Sequence, residues 1–444
     1  MRIAVVGAGA AGLGAAWALA QRHDVTVFEA EGRAGGHAWT RDIDVAGRPV
    51  AVDMGFIVYN ELNYPNLSRL FAALGVATEA SDMSFAVSVD GGRLEYEGSL
   101  RGLFAQPANL ARPSFLRMLA DIRRFYRTAP RLLDMPGDGP TLGEVLDAGR
   151  YSAAFAAHHI LPMGAAIWSA TLDGMRAFPA KSFVRFFVNH RLFDLAGRPQ
   201  WRTVTGGSRG YVQRIAGQLG ARLRLGAPVT RIERTPAGVI IATPAAAPER
   251  FDRLVLASHA DQALALLGAA ARDDERAVLG AIRYQANRAV LHGDRTLMPR
   301  RRAAWASWNY LAAGSESGAG DAGLCVSYWM NRLQRLPVDA PVIVTLNPHR
   351  RPDPATVHAE AVFHHPQFDR AALAAQARLP DIQGVDRTWF CGSYCGFGFH
   401  EDAVASGFAV AAALGAPVPW AQAVAPAGPA AHCVRPAAPD RAAA

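Results

Sequence analysis

The sequence predicts an α/β protein with a doubly wound parallel sheet in one domain and a mixed α+β domain inserted into it. Three observations support this fold class. The length of 444 residues exceeds what one ordinary core holds. Residues 3–29 read as strand, glycine turn, helix and strand. Residues 254–257 form a distant apolar strand, which we expect to return to the first sheet.

Each element of the first unit follows from its residues. Residues 3–6 are an apolar run typical of a buried strand, and the alanine-rich stretch to about residue 21 favours a helix. Residues 24–29 predict a second strand that ends on an acid. The uncharged run 3–20 resembles the apolar part of a secretion signal, but the regular glycine spacing favours the turn.

The stretch GAGAAG is the pattern of a dinucleotide-binding unit, because it lies between a strand and a helix and an acid ends the next strand. Gly7 permits the turn, Gly9 lets the backbone approach a pyrophosphate, and Gly12 lets the helix pack on the strand. The helix start favours phosphate. We expect Glu29 to accept hydrogen bonds from the adenosine ribose.

The rest of the chain divides between two domains and a tail. The predicted nucleotide domain comprises 1–78, 206–260 and 385–420, and the predicted substrate domain comprises 79–205 and 261–384. Helical periodicity covers 62–75, 113–133 and 211–219, whereas 273–380 is rich in strands and aromatic residues. The Ala/Pro-rich residues 421–444 are predicted to be disordered.

The net charge of +8 is carried by arginine, because Lys181 is the only lysine. This excess favours an anionic partner or lipid surface, and codon bias toward arginine explains it equally well. Helix 113–133 mixes arginine with aromatic residues and either lies on an anionic membrane or is a solvated face. Scattered arginine argues against nucleic acid. Four cysteines without a disulfide pattern predict a cytoplasmic protein, with peripheral association at the inner face of the membrane as an extension.

Four further segments follow in a recognisable order. The first, EAEGRAGGHAWT (29–40), comes with the end of the second strand. The other three come later: VDMGF (52–56), GGSRGYVQRIAGQLG (206–220) and TWFCGSYCGFGFHEDAVASG (388–407). Together with GAGAAG they resemble the flavin-containing amine oxidase superfamily, which includes monoamine oxidases, protoporphyrinogen oxidase and phytoene desaturases. The resemblance covers most of the chain and implies an amine-oxidase-like two-domain architecture with FAD as cofactor.

The resemblance also implies the residues that hold FAD. Asp402 is expected to cap the last helix, so that the N–H groups of Ala403 and Val404 face the flavin O2. The expected FAD-binding residues are Gly7, Gly9, Ala10, Ala11, Gly12, Glu29, Ala30, Arg33, Gly35, Gly36, His37, Asp53, Met54, Gly55, Phe56, Val229, Gly392, Asp402, Ala403 and Val404.

Within the superfamily, the chain is most similar to a bacterial group of FAD-binding proteins. Four segments carry this resemblance: LHGDRTLMPRRRAAWASWNY (291–310), YWMNRLQ (328–334), VTLNP (344–348) and GFHED (398–402). That group is linked to synthesis of cyclopropane, methyl-branched and furan fatty acids. The resemblance implies dehydrogenation (desaturation) of a hydrophobic substrate, most directly a fatty-acyl chain of a membrane lipid, with hydride transfer to flavin N5. The electron acceptor is not assigned.

Two other functions stay open. Amine oxidases of the family usually place a lysine near N5 in the C-terminal half, whereas Lys181 precedes the Gly-Gly helix, which argues against amine oxidation. An amine oxidase or a polyisoprenoid desaturase is the alternative enzyme. The alternative class is a lipid-binding accessory protein, since Rab GDP-dissociation inhibitors share this fold, but the intact glycine motifs favour a bound flavin.

No catalytic base is assigned. The candidates for the substrate side of the flavin are Tyr394, His400, Asn309, Asn331 and Tyr328. The neighbouring aromatic residues Trp305, Trp308, Tyr310 and Trp329 either line an acyl tunnel or form sheet core. We predict no metal site, because adjacent residues such as those of His400-Glu401-Asp402 point in different directions. Cys391 and Cys395 are expected to be buried strand cysteines rather than a redox pair.

Overall fold

The computed structural model describes residues 1–194, 196–312, 324–422 and 433–434. Its strands are β1 (Arg2–Val6), β2 (Asp24–Phe28), β3 (Thr40–Val45), β4 (Arg48–Asp53), β5 (Val58–Asn60), β6 (Thr78–Ala80), β7 (Phe85–Val89), β8 (Leu94–Glu97), β9 (Trp201–Val204), β10 (Leu223–Arg224), β11 (Arg231–Thr235), β12 (Gly238–Thr243), β13 (Ala246–Phe251), β14 (Arg253–Leu256), β15 (Tyr284–His292), β16 (Trp308–Ala312), β17 (Val326–Trp329), β18 (Ile343–Leu346), β19 (Val357–Pro366) and β20 (Thr388–Phe390).

Its helices are α1 (Ala10–Leu19), α2 (Pro65–Leu74), α3 (Pro113–Thr128), α4 (Leu142–Ala148), α5 (Ala153–Phe155), α6 (Leu161–Trp168), α7 (Leu172–Ala177), α8 (Ala180–Asn189), α9 (Arg209–Leu219), α10 (Ala260–Leu267), α11 (Asp273–Leu279), α12 (Met330–Leu333), α13 (Arg370–Ile382) and α14 (His400–Ala413). Within the described residues, no helix is long and apolar enough to cross a membrane.

The first sheet is parallel and has the strand order β10-β2-β1-β14-β20. β14 pairs directly with β1, so the distant apolar strand returns to the first sheet as predicted. The side chains of β1 alternate between two cores: Ile3 and Val5 face the layer of α1, α9 and α14, whereas Ala4 and Val6 face the layer of β12, α10 and α13. Burial on both faces explains why β1 is apolar throughout.

The C-terminal helix α14 packs along α1. A Cβ on Gly407 would overlap the backbone oxygen of Ala11, and a Cβ on Gly14 would lie 3.5 Å from the Phe408 ring, so small residues allow the two helices to approach closely. This packing brings α14 close to the glycine turn that precedes α1.

The second sheet has the order β19-β15-β18-β17-β16-β7-β8 and is antiparallel except between β16 and β7. The helices α3 to α8 supply much of the core that covers one of its faces. The edge strand β19 meets the first domain, because a Cβ on Gly55 would lie 3.4 Å from the Phe363 ring.

The elements differ from the sequence expectation at a few points. Helix α3 ends at Thr128 and continues as a 3₁₀ turn over Ala129–Asp134, because Pro130 cannot donate a backbone hydrogen bond. Trp305 follows a 3₁₀ turn and lies outside the strands. Most of the predicted tail 421–444 falls outside the described residues.

Candidate active site

In the glycine turn after β1, two of the glycine positions leave no room for a side chain and the third faces open space. Gly7 has a φ of 102° and a Cβ on it would lie 2.9 Å from the Ala257 oxygen, so this position requires glycine. A Cβ on Gly12 would overlap the Gly7 carbonyl, whereas a Cβ on Gly9 would meet no atom within 4 Å. The open side lies at the N-terminus of α1, where free N–H groups favour a phosphate, so the turn fits a dinucleotide.

Glu29 follows β2 with its carboxylate at the mouth of this turn. Its carboxylate oxygens accept hydrogen bonds from the backbone N–H groups of Ala8 (2.7 Å) and Glu31 (2.9 Å). Ala30 lies exposed between the two acids. The predicted ribose-binding acid is therefore next to the open side of the turn.

The second glycine pair lies against the first turn. A Cβ on Gly36 would be 3.2 Å from the Gly9 Cα. Arg33 holds the loop, since its Nη1 donates to the Gly36 oxygen (2.9 Å) and its guanidinium lies 4.1 Å from the centre of the Trp39 ring. The Arg33 side chain thus contacts protein groups and shapes the loop.

Asp53 joins three segments through its buried carboxylate. It accepts hydrogen bonds from the hydroxyl of Thr40 (2.5 Å), from the backbone and hydroxyl of Ser208 (2.9 and 2.8 Å) and from Nε2 of Gln334 (3.1 Å). Burial outweighs these donors and raises the pKa of Asp53 to about 6. The carboxylate is satisfied by protein groups and positions the loop that follows it.

The loop after Asp53 runs along the second glycine loop. The Met54 N–H donates to the Trp39 oxygen and the Phe56 N–H donates to the His37 oxygen, both at 2.9 Å. A Cβ on Gly55 would overlap the His37 oxygen. His37, Gly55 and Phe56 are half-buried, and we call the partly exposed surface that they form next to the glycine turn the cleft.

The start of α14 reaches this cleft. Burial lowers the pKa of His400 to about 3, so its ring is neutral. Glu401 accepts hydrogen bonds from the backbone N–H groups of Asn66 (3.0 Å) and Leu67 (2.9 Å) and thereby caps α2. Burial raises the pKa of Glu401 to about 7.

The predicted capping geometry of α14 is corrected by the structure. The helix begins at His400, and Asp402 reaches back to accept hydrogen bonds from the N–H groups of Phe397 (3.0 Å) and Phe399 (2.9 Å). The Ala403 N–H donates to the Phe399 oxygen (3.1 Å), so it is used within the helix and is not a free donor.

The free N–H groups lie one turn earlier than predicted. In the described part of the chain, the N–H groups of His400, Glu401 and Asp402 lack a hydrogen-bond partner, and these are the donors at the cleft. The assignment to Ala403 and Val404 fails because an acidic side chain three residues into a helix starts it earlier. Burial raises the pKa of Asp402 to about 7.

Two other predicted cofactor residues lie at the carboxyl edge of the first sheet. The Gly392 N–H, after β20, donates to the Ser406 hydroxyl (3.0 Å). Val229 is buried in the same core as Val6 and Phe28, the last residues of β1 and β2. Both therefore lie at the edge where open α/β sheets bind their ligands.

Tyr394 and Tyr328, two candidate substrate-side residues, are enclosed by protein. Tyr394 is buried in the core between the first sheet and α13, and its hydroxyl has no hydrogen-bond partner within the described residues. The Tyr328 ring packs edge-on against Trp308 with centroids 4.9 Å apart. Burial raises the pKa of both hydroxyls.

The two candidate asparagines hold loops of the second domain. Asn309 Nδ2 donates to the oxygens of Ala306 (2.6 Å) and Ser327 (3.0 Å). Asn331 Oδ1 accepts from the Val342 N–H (2.8 Å). These contacts stabilise the sheet, and a substrate role for either residue stays a prediction.

An aromatic wall extends from the C-terminal segment into the helices of the second domain. We define it as Trp168, Phe186, Phe397 and Phe399. The rings of Phe186 and Phe399 stack with centroids 4.8 Å apart, and Trp168 Nε1 donates to the Phe397 oxygen (3.2 Å). Phe397 and Phe399 are half-buried, whereas Trp168 and Phe186 are buried behind them.

The structure adds residues that sequence reasoning missed. Phe363 and His365 of β19 contact His37, with ring centroids 5.0 and 5.5 Å apart, and His259 lies 5.8 Å from His37. The alternation of side chains along a strand was the signal, because it turns one of two adjacent histidines inward.

Within the described residues, no group of three metal-ligating side chains is close enough to hold an ion. Cys391 and Cys395 are buried free thiols, and burial raises the pKa of each. Neither thiol is therefore activated as a nucleophile.

Known proteins resemble the chain in sequence and in fold. The family model of flavin containing amine oxidoreductases matches residues 10–284. A Mycobacterium tuberculosis protein named as a flavin-containing monoamine oxidase, AofH, is 31% identical over 251 residues, which are 54% of this chain and 53% of that protein. The chain thus spans about half the length of the curated relatives that it matches.

Two solved structures share the fold. Cyclohexylamine oxidase from Brevibacterium oxydans superposes with a TM-score of 0.66 at 18% identity, covering 93% of this chain and 98% of that one. A CLA-producing fatty acid isomerase from P. acnes superposes with a TM-score of 0.62 at 18% identity, covering 91% and 96%. At this identity the likeness establishes the two-domain fold alone.

Proposed function

The chain belongs to the flavin containing amine oxidoreductase family, and on that premise we propose that it is an FAD-dependent oxidoreductase that dehydrogenates a fatty-acyl chain of a membrane lipid. When bound, FAD supplies the two-electron acceptor for oxidation of a C–H bond. The glycine turn open at Gly9, the adjacent Glu29 and the N–H groups at the start of α14 would hold it. The protein's part is to bind and orient the substrate and to exclude water.

The aromatic wall is the observation that carries the substrate class. It begins at Phe399, one residue before α14, and continues through Phe186 to Trp168. Phe397 and Phe399 are its partly exposed members, and an alkyl chain would gain about 0.8 kcal/mol for each methylene transferred from water onto such rings. A hydrophobic chain would therefore bind beside the cofactor without a charged anchor.

The charged groups near the cleft do not favour an amine. Glu401 and Asp402 already accept backbone hydrogen bonds, and raised pKa values leave them partly protonated near neutral pH. Lys181 is remote, since its Nζ donates to the backbone oxygens of Met135 and Gly137. An alkylammonium substrate would need an ionised carboxylate that is free to pair with it, and neither Glu401 nor Asp402 meets this requirement.

The lipid assignment also indicates where the protein would meet its substrate. Helix α3 buries Phe115, Met118 and Phe125 and exposes the opposite face. Leu116, 45% exposed, lies on that face with Arg123 and Arg127, for which the described residues show no ion pair. An apolar side chain flanked by unpaired arginines suits the surface of an anionic bilayer, and we include this contact in the proposal.

The deciding test is anaerobic reduction of the purified, FAD-loaded protein. Phospholipids with unsaturated or methyl-branched acyl chains should bleach the flavin absorbance, whereas primary amines and polyamines should not. Bleaching by amines alone would overturn the substrate class. A protein that binds lipid but no FAD would instead be an accessory lipid carrier.

Amine oxidation is the second candidate, and a specific observation favours it. The AofH relative is named as a monoamine oxidase, and cyclohexylamine oxidase shares the fold. The aromatic wall can also attract a cation through its ring faces. The amine arm of the bleaching experiment separates this candidate from the proposal.

A further inference from the structure

A chain of amide side chains leads to His365. The backbone N–H of Arg288 donates to Asn347 Oδ1 (2.8 Å), and Asn347 Nδ2 donates to Asn287 Oδ1 (2.7 Å). Asn287 Nδ2 lies 2.9 Å from His365 Nδ1 and also donates to the Gln285 oxygen (3.0 Å). The backbone N–H of Arg288 can only donate, so the Asn347 atom that it contacts must be the oxygen. This fixes which end of each of the two amides is the oxygen and which is the nitrogen.

These hydrogen bonds determine which ring nitrogen of His365 carries the hydrogen. Both hydrogens of Asn287 Nδ2 are used, one of them toward His365 Nδ1, so Nδ1 is the acceptor and the neutral ring carries its hydrogen on Nε2. If His365 Nδ1 were protonated, its N–H and the N–H of Asn287 Nδ2 would be two donors facing each other without an acceptor. Burial, followed by the neighbouring His259 and His364, lowers the pKa of His365 to about 4. His365 Nε2–H is therefore a neutral donor across the physiological pH range.

His365 lies next to the residues that border the cleft. His365 lies two residues after Phe363 on the same face of β19, and Phe363 contacts His37 and the Gly55 position. The ring of His365 is half-buried, and within the described residues its Nε2 has no hydrogen-bond partner. The ring of His365 thus lies beside His37 of the second glycine loop, with its centroid 5.5 Å from that of His37.

We infer that His365 contacts the bound cofactor, to which its Nε2–H donates a hydrogen bond, and that Asn287 and Asn347 are positioning residues for it. FAD presents acceptors along its length, in its phosphate oxygens, carbonyl oxygens and ring nitrogens. A donor with a fixed hydrogen and no net charge suits such an acceptor over a wide pH range. The inference rests on the FAD site of the proposed function and is independent of the substrate.

Other titratable groups surround the ring. His37 and His259 face it from the second glycine loop and from the start of α10, and His364 is its neighbour on β19. Tyr284 stacks on His259 with centroids 4.5 Å apart. Burial lowers the pKa of His37 and His259 and raises that of Tyr284, so these three groups are neutral near pH 7.

The first test measures FAD affinity and the visible spectrum of the reconstituted protein. His365→Phe keeps a ring and removes the donor, so we expect an affinity about tenfold weaker, the value of one hydrogen bond, and a shifted flavin spectrum. His364→Phe is the matched control, because this side chain is exposed on the other face of β19, and it should retain the affinity and spectrum. Unchanged affinity and spectrum in a folded His365→Phe would overturn the inference.

The second test separates positioning from general stability. Asn287→Asp replaces the amide donor by a carboxylate, which accepts a hydrogen from Nδ1 and favours the charged ring. The flavin spectrum and FAD affinity should then change between about pH 5 and 8, whereas those of the wild type stay constant. A pH-independent variant spectrum would contradict the positioning role. Failure of the wild type to bind FAD would instead refute the proposed function itself.

Discussion

The rings of Phe56 and His400 stack face to face, with centroids 3.9 Å apart and an angle of 10° between their planes. The Tyr211 hydroxyl lies 2.7 Å from His400 Nε2. The three residues belong to the loop after β4, to α14 and to α9. One neutral histidine therefore links three separate segments of the cofactor domain.

The hydrogen bond between Tyr211 and His400 should contribute measurably to stability. The Tyr211 hydroxyl and His400 Nε2 form a hydrogen bond inside the protein, so Tyr211→Phe leaves the buried Nε2 without a partner. We expect the free energy of unfolding to fall by about 1 kcal/mol in urea titrations. Tyr151→Phe is a control, because that hydroxyl makes a 3.3 Å contact with Thr128 near the surface. Equal effects of the two changes would contradict a special role of His400.

Gly9→Val should abolish FAD binding without unfolding the protein. Gly9 has a φ of −74°, which any residue can adopt, and its side-chain position faces open space. A valine there would occupy the place of the pyrophosphate. The measurement is flavin absorbance after reconstitution and gel filtration. Gly217→Val is the matched control, since a Cβ on Gly217 also meets no atom within 4 Å. Flavin retained by Gly9→Val would refute the position of the phosphate site.

Asp53 should make the protein less stable as the pH rises from about 4 to about 6. Its pKa is raised from 3.8 to about 6, so in this interval the folded state holds a proton that the unfolded state has lost. The free energy of unfolding then falls by about 3 kcal/mol in total. Asp53→Asn lacks this titration, so the wild-type advantage should be largest near pH 4 and smaller near pH 7 in urea titrations. An advantage that grows with pH would contradict the raised pKa.

Lys181→Met should leave flavin content and flavin reduction unchanged. The ammonium is used by the backbone oxygens of Met135 and Gly137, and its loss should cost about 1 kcal/mol of stability. Stopped-flow reduction and urea titrations measure the two quantities, with Lys181→Arg as the control that keeps the charge. Loss of flavin reduction in a folded Lys181→Met would assign Lys181 a catalytic role and reopen amine oxidation.

The exposed face of α3 should bind anionic vesicles. The double change Arg123→Glu and Arg127→Glu reverses the charge beside Leu116, so flotation with phosphatidylglycerol vesicles should weaken strongly, by about 1 kcal/mol or more for each arginine. The control Arg69→Glu with Arg378→Glu makes the same change at exposed positions of α2 and α13. Equal loss in both variants would indicate net charge rather than a docking face, and binding to neutral vesicles alone would exclude it.

Much of the cofactor site follows from local sequence, and its chemical details do not. Gly7, Gly9, Gly12 and Glu29 lie where their spacing predicts, because a turn between a strand and a helix is a local structure. The N–H groups of α14 were misassigned, because Asp402 starts the helix earlier through a hydrogen bond to Phe399. The choice between competing caps depends on contacts that a motif does not contain.

The sequence by itself determined the two-domain fold, the open turn at Gly9 and the neighbouring acid, since glycine spacing and strand periodicity are read within one segment. Only the tertiary structure decided which polar groups meet at the cleft. Asn287, Asn347 and His365 come from β15, from the loop after β18 and from β19, and they meet because these strands pair in one register. A shift of one residue would turn His365 to the other face of the sheet. No segment alone specifies that register, because it depends on packing between strands that are distant in the chain.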